Sequence, residues 1–142
     1  MILKKETRIG LVIVQALDGK NVALTLILRG KIIEGVIVTT FKNTFELASS
    51  IISSKYYGEL RYIIMMLLNI HISEVDNLFL RILKPIIVIN KDFSLENYLG
   101  LNPDECQSLL NYFIKNLNHD ILDFSLKLIN QIVTLLKTSG VK

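Results

Sequence analysis

The chain has no tryptophan, one cysteine and two prolines among its 142 residues. A lone Cys106 cannot close an intramolecular disulfide, and it fits a reducing compartment. There is no CxxC pair and no His/Cys cluster, which argues against a structural zinc site. Long apolar runs are missing as well. A membrane helix needs roughly 18 or more consecutive apolar residues, and the longest run, Tyr62 to Leu68, is far shorter. The opening Met1-Ile2-Leu3-Lys4-Lys5-Glu6 lacks the apolar stretch of a secretory signal. The expectation is a cytoplasmic protein with no membrane contact. The nucleophile elbow GxSxG, the dinucleotide loop GxGxxG and the Walker A loop are all absent, so the chemistry they support has no motif here.

Acidic side chains are missing where they would count most. Two segments read as central strands, Arg8 to Gln15 and Leu60 to Asn69, and neither contains Asp or Glu. A metal centre for hydrolysis needs hard oxygen ligands converging at such strand ends. The expectation is no bound metal and no cofactor, with Mg²⁺ relevant only if carboxylates elsewhere replace the missing ones.

What is present is apolar mass. Hydrophobic residues make up 51% of the chain and the mean hydropathy is +0.45. One domain of this length has a real core, spanning residues 1–142, but a core so small cannot hide unlimited apolar surface. A homo-oligomer or a protein partner is therefore expected. The net charge of +3 makes nucleic acid a possible partner, although Lys and Arg are scattered and Lys4-Lys5 is their one adjacent pair. The Ile, Lys and Asn bias is compatible with a heat-loving archaeon.

Periodicity divides the chain. Thr7–Gln15, Asn21–Arg29 and Lys31–Thr40 are rich in β-branched and apolar residues and are joined by Asp18-Gly19 and Gly30-Lys31. Turns so tight permit only an antiparallel meander. The period then becomes helical: Phe45, Ala48, Ile51 and Ile52 follow an Asn43-Thr44 cap, and Gly58 is the expected stop. Leu60–Leu68 reads as a strand buried on both faces and parallel to the first. Ser73 is the expected cap of a second helix through Val75, Leu78, Phe79, Ile82 and Leu83. Pro85–Asn90 is a fifth strand and Lys91–Gly100 an irregular connection. Asn102-Pro103-Asp104-Glu105 opens a helix with Cys106, Leu109, Leu110, Phe113, Ile114 and Leu117 on one side. A last helix opens at Asp120 or Asp123, with Gly140 just past its end.

Short motifs sharpen this order. Leu28-Arg29-Gly30 with Ile33-Glu34-Gly35-Val36, Leu60-Arg61-Tyr62-Ile63-Ile64-Met65, Glu74-Val75-Asp76 and Lys84-Pro85-Ile86-Ile87-Val88-Ile89 resemble motifs of an archaeal endonuclease V-like family of uncharacterised proteins, the domain of unknown function 99. The resemblance spans roughly Thr7 to Asn90. It implies a ribonuclease H-like α/β domain: a mixed five-stranded sheet in the order βββ-α-β-α-β, with C-terminal helices. It also implies three acidic stretches that this chain lacks. They are replaced by Val12-Ile13-Val14-Gln15, by Phe41-Lys42-Asn43-Thr44 and by Met66-Leu67-Leu68-Asn69. The expectation is a non-catalytic, degenerate relative, a pseudoenzyme acting as a binding or assembly module. The alternatives are a residual metal-dependent nucleic-acid hydrolase and a non-catalytic nucleic-acid binder.

The residual-hydrolase alternative draws its carboxylates from Asp18, Glu34, Glu74 and Asp76. Each has a plainer role: Asp18 in an Asp-Gly turn, Glu34 as a hairpin surface acid, Glu74 and Asp76 as negative charge at a helix start. Asn69 and His71 flank the end of the fourth strand, where ligands bind in open α/β sheets. For nucleic acid the candidates are Lys42, Lys55, Tyr56, Tyr57 and Arg61, with cationic groups for phosphate and rings for stacking. The tyrosine pair is as readily a lid that closes a helix onto the core. The interface candidates are Phe124, Leu128, Ile132 and Leu135, because the last helix is apolar around most of its circumference.

Overall fold

The computed structural model describes residues 7–68, 70, 72, 74–117 and 119–138. Lys4-Lys5, Asn69, His71, Ser73 and Gly140 lie outside the described residues. The chain forms β1 (Arg8–Leu17), β2 (Lys20–Arg29) and β3 (Ile32–Phe41), then α1 (Thr44–Ile52), β4 (Leu60–Leu68), α2 (Val75–Ile82) and β5 (Ile86–Asn90). It continues through β6 (Leu95–Leu99), α3 (Pro103–Asn116) and α4 (His119–Thr138). The strands make one mixed sheet in the order β3-β2-β1-β4-β5-β6. This is an α/β domain.

The meander forms as its turns dictate. β1 pairs antiparallel with β2 from Arg8↔Arg29 to Leu17↔Lys20. Asp18-Gly19 thus becomes a two-residue hairpin loop, with Gly19 at φ +76, a conformation that costs glycine little. β2 and β3 are also antiparallel, with a register shift between Ile27 and Leu28. Helical crossovers then allow parallel pairing, β1 with β4 and β4 with β5.

Both faces of the sheet are covered. On one, Leu11 and Ile13 of β1, Leu24 and Leu26 of β2, and Met66 of β4 pack with Leu109 and Phe113 of α3 and Ile129 and Val133 of α4. On the other, Val12 and Val14, Ile63 and Met65 meet Leu47 and Ile51 of α1 and Leu78 and Ile82 of α2. Alternation along each strand feeds two cores at once, so the central strands are apolar from end to end. Much of the high hydropathy is consumed inside the monomer.

Four expectations require correction. The sheet has six strands, because Leu95–Leu99 pairs antiparallel with β5 in the stretch expected to be irregular. Its side chains are mostly exposed, so no apolar pattern marks it. Helix α1 ends at Ile52, with Ser53 as its cap residue. Gly58 instead sits in a 3₁₀ turn, Tyr57–Glu59. Ile114 is exposed, lying about 100° around the helix from Phe113. Helix α4 begins at His119, a residue or more before the expected acidic start. The opening of α3 is as expected: Asn102 and Glu105 form a reciprocal capping box ahead of Pro103.

Candidate functional site

Two antiparallel steps return β3 to the direction of β1, so β1, β3, β4 and β5 all end on the same edge of the sheet. That carboxyl edge is where open α/β sheets hold ligands. Here it gathers Gln15 and Ala16 from β1, Lys42 and Asn43 just past β3, Leu68 from β4 and Asn90 from β5. The three segments that lack the resembled family's acids thus meet at one edge. Asn43 is engaged locally. The Glu46 N–H donates to Asn43 Oδ1 at 3.0 Å, and the Lys42 N–H donates to Glu46 Oε1 at 3.2 Å. Asn90 Oδ1 accepts from the N–H groups of Asp92 and Ser94 at 2.9 and 3.1 Å, closing the β5–β6 turn.

Three hollows open on this side. One is lined by Asp18, Gly19, Lys20, Asn21, Lys42 and Lys137. A second holds Asp76, Glu96 and Asn97 above Leu67, Val75 and Val88. The third lies between α1 and α2, with Asn43, Phe45, Glu74, Asn77 and Arg81. Arg81 there covers the Phe45 ring at 4.3 Å.

The four candidate acids therefore separate. Asp18, Asp76 and Glu74 occupy three different hollows. Glu34 is at the other end of the sheet, where Arg8 Nε donates to its Oε1 at 2.8 Å and Arg29 Nε lies 3.2 Å away. β1 spans ten residues from Arg8 to Leu17, about 30 Å at the rise of a strand. Glu34 cannot share a centre with the other three. Its two arginines explain it. Among the described residues no three His, Cys, Asp or Glu side chains converge in a way that could hold a metal ion. Glu96 beside Asp76 was not legible from the sequence, because it depends on the pairing of β6.

The nucleic-acid candidates split too. Lys42 belongs to the carboxyl edge. Lys55, Tyr56, Tyr57 and Arg61 lie at the start of β4, beside Arg8 and the opposite edge. Tyr56 packs over Gly35, where a Cβ would overlap its ring, and Lys55 lies 5.3 Å from that ring. The Tyr57 hydroxyl donates to the Ile82 carbonyl at the end of α2, and Lys84 covers its ring at 4.7 Å. Both rings pack against the α1–α2 core. They fasten helices to the sheet, and their faces are occupied. The cations that do gather, Lys20 and Lys137 beside Lys42, are far apart in sequence, so no local signal brings them together.

On α4 the interface set divides. Leu128 and Ile132 pack partly against the protein's own core, contrary to a free outer stripe. Phe124 and Leu135 are 53% and 67% exposed. Cys106 is buried in α3, and burial raises its thiol above the ordinary value of 9.0. That keeps it neutral and unreactive. No helix among the described residues is long and apolar enough to cross a membrane.

Comparison with family models finds no match, and comparison with curated proteins finds none. Among solved structures, the chain is similar to a protein of unknown function from Archaeoglobus fulgidus DSM 4304. The TM-score is 0.62 at 16% identity, over 75% of this chain and 86% of that one. At that identity the likeness establishes a shared α/β fold.

Proposed function

We propose that this chain is a diverged endonuclease V-like protein with a ribonuclease H-like sheet, retained as a non-catalytic binding or assembly module. The strand order β3-β2-β1-β4-β5 and the short motifs between Thr7 and Asn90 support the kinship. One observation carries the loss of catalysis: the carboxyl ends of β1, β3 and β4 present Gln15, Lys42, Asn43 and Leu68, with no acid among them. Asp18, Glu74 and Asp76 sit nearby in separate hollows, too dispersed to clamp a metal pair roughly 4 Å apart. Exposed apolar side chains on two separate surfaces, Val36 and Val38 of β3 and Phe124 and Leu135 of α4, suit a protein that works by contact through one of them.

The protein should leave inosine-containing and ordinary DNA and RNA uncut above background with Mg²⁺ or Mn²⁺. Metal-dependent cleavage that survives purification and disappears in Asp18→Asn or Asp76→Asn would overturn the reading. A second reading, nucleic-acid binding without catalysis, is favoured by the hollow that gathers Lys20, Lys42 and Lys137. Under it, oligonucleotide affinity in the same samples would fall by a power of salt concentration near the number of phosphates neutralised. That slope would flatten in Lys42→Ala. A flat salt profile would discard it.

A further inference from the structure

We infer that the free edge of β3 is an interface for a second copy of this chain, paired antiparallel about a two-fold axis. The inference rests on the assembly reading above and names its surface and its partner. β3 is an outermost strand of the sheet and runs ten residues. Among the described residues no strand lies beside its outer row of main-chain N–H and C=O groups, and such a row selects another strand as its occupant.

The side chains point the same way. Val36 and Val38 are register partners of Leu26 and Leu24, so they lie on the face of the sheet that α4 covers. Helix α4 lies over β1 and β2 and stops short of them. Val36 and Val38 are left 46% and 49% exposed. The usual guards of an edge are sparse. Between Ile32 and Phe41 there is no proline and no lysine, and the one irregularity lies at the Glu34 end.

The strand is self-complementary. A two-fold axis at Ile37 sets Val36 opposite Val38 of the second copy, and Val38 opposite Val36 of the second copy. Four valines then close over one another on one face, with Gly35 opposite Thr39 on the other. The opposite edge of the sheet differs. β6 is five residues long and carries Glu96 and Asn97, which discourages continued addition. One sticky edge and one guarded edge give a closed isologous dimer and no filament. One strand of ten residues falls short of the roughly 20–30 residues a side of a standard stable complex, which puts the pairing in the weak, transient class. The dimer should therefore dissociate in the micromolar range.

Sedimentation velocity from low to high micromolar concentration tests this on the full chain, with Val38→Lys and Leu135→Glu as variants. Both positions are exposed, and thermal unfolding checks that each variant folds. The expected result is a reversible monomer–dimer equilibrium for the unsubstituted protein. Val38→Lys should weaken it tenfold or more, and Leu135→Glu should leave it within twofold. A dimer abolished by Leu135→Glu and untouched by Val38→Lys would overturn the β3 interface while leaving the assembly reading intact. A monomer at all concentrations would overturn the second copy as occupant. Species that keep growing with concentration would overturn the closed two-fold. Nuclease activity, the readout that overturns the non-catalytic reading, is independent of all three.

Discussion

Single residues carry more of this fold than their exposure suggests. Gly100 links β6 to α3 at φ +79, where a Cβ would stand 2.7 Å from Phe79 Cε1 and 3.2 Å from the Pro85 Cα. Backbone and space both demand glycine there. Gly100→Ala should cost about 2 kcal/mol of unfolding free energy, the range of left-handed strain plus overpacking, measured by urea denaturation. Cys106 makes a pH-dependent contribution. Burial raises its folded-state value above 9.0, so its stabilising share is complete below that pH. It is lost as pH rises from there toward the folded-state value, because the unfolded chain deprotonates first. Stability should therefore fall more steeply above about pH 9 in the native protein than in Cys106→Ala, a difference visible in urea midpoints.

At the scale of elements, the short helix α2 has an end that runs against local preference. Leu83 closes it at φ 59, in a left-handed conformation that costs a non-glycine residue about 1–2 kcal/mol. Its N–H donates to the Phe79 carbonyl at 2.9 Å, and its side chain is 70% exposed, so little burial compensates. Leu83→Gly should stabilise the protein by about 0.5–1 kcal/mol, and a loss of stability would show that the exposed side chain matters more than the strain. The elements legible in the sequence are those whose pattern owes nothing to distant partners. The meander is set by Asp18-Gly19 and Gly30-Lys31, α3 by its Asn102–Glu105 box, and β1 and β4 by unbroken apolar runs. Strand β6 escapes because Leu95–Leu99 is mostly exposed, so only its pairing with β5 defines it. The end of α1 escapes because Ser53 closes it through backbone bonds to the Ile51 and Ser49 carbonyls, five residues before Gly58, the obvious breaker.

At the scale of the whole molecule, hydropathy has two destinations. A sheet covered by α1 and α2 on one face and by α3 and α4 on the other absorbs most of the Ile and Leu content. It also takes in part of Leu128 and Ile132, which pack against this core while staying half-buried. What remains outside divides among Ile32, Val36 and Val38 of β3, Phe45, Ile52, Leu80 and Leu83 along α1 and α2, Leu95, Ile114, and Phe124 and Leu135 of α4. The candidate site was legible as an absence: the sequence alone places neutral residues at Gln15, Asn43 and Leu68. The gathering of those positions on one edge, the separation of Asp18, Glu34, Glu74 and Asp76, and the placing of Glu96 in the hollow that Asp76 lines all depend on strand order and register. Those are long-range facts that local pattern does not encode.

The proposed loss of a metal centre is tested most directly by Mn²⁺ itself. Electron paramagnetic resonance of free Mn²⁺, titrated against the protein at about 100 μM, counts bound ions without requiring any substrate. Dispersed carboxylates predict that the free-ion signal is undiminished at stoichiometric Mn²⁺, with affinity no tighter than millimolar, about −4 kcal/mol. One or two ions bound at micromolar affinity, and released by Asp76→Asn, would contradict the account.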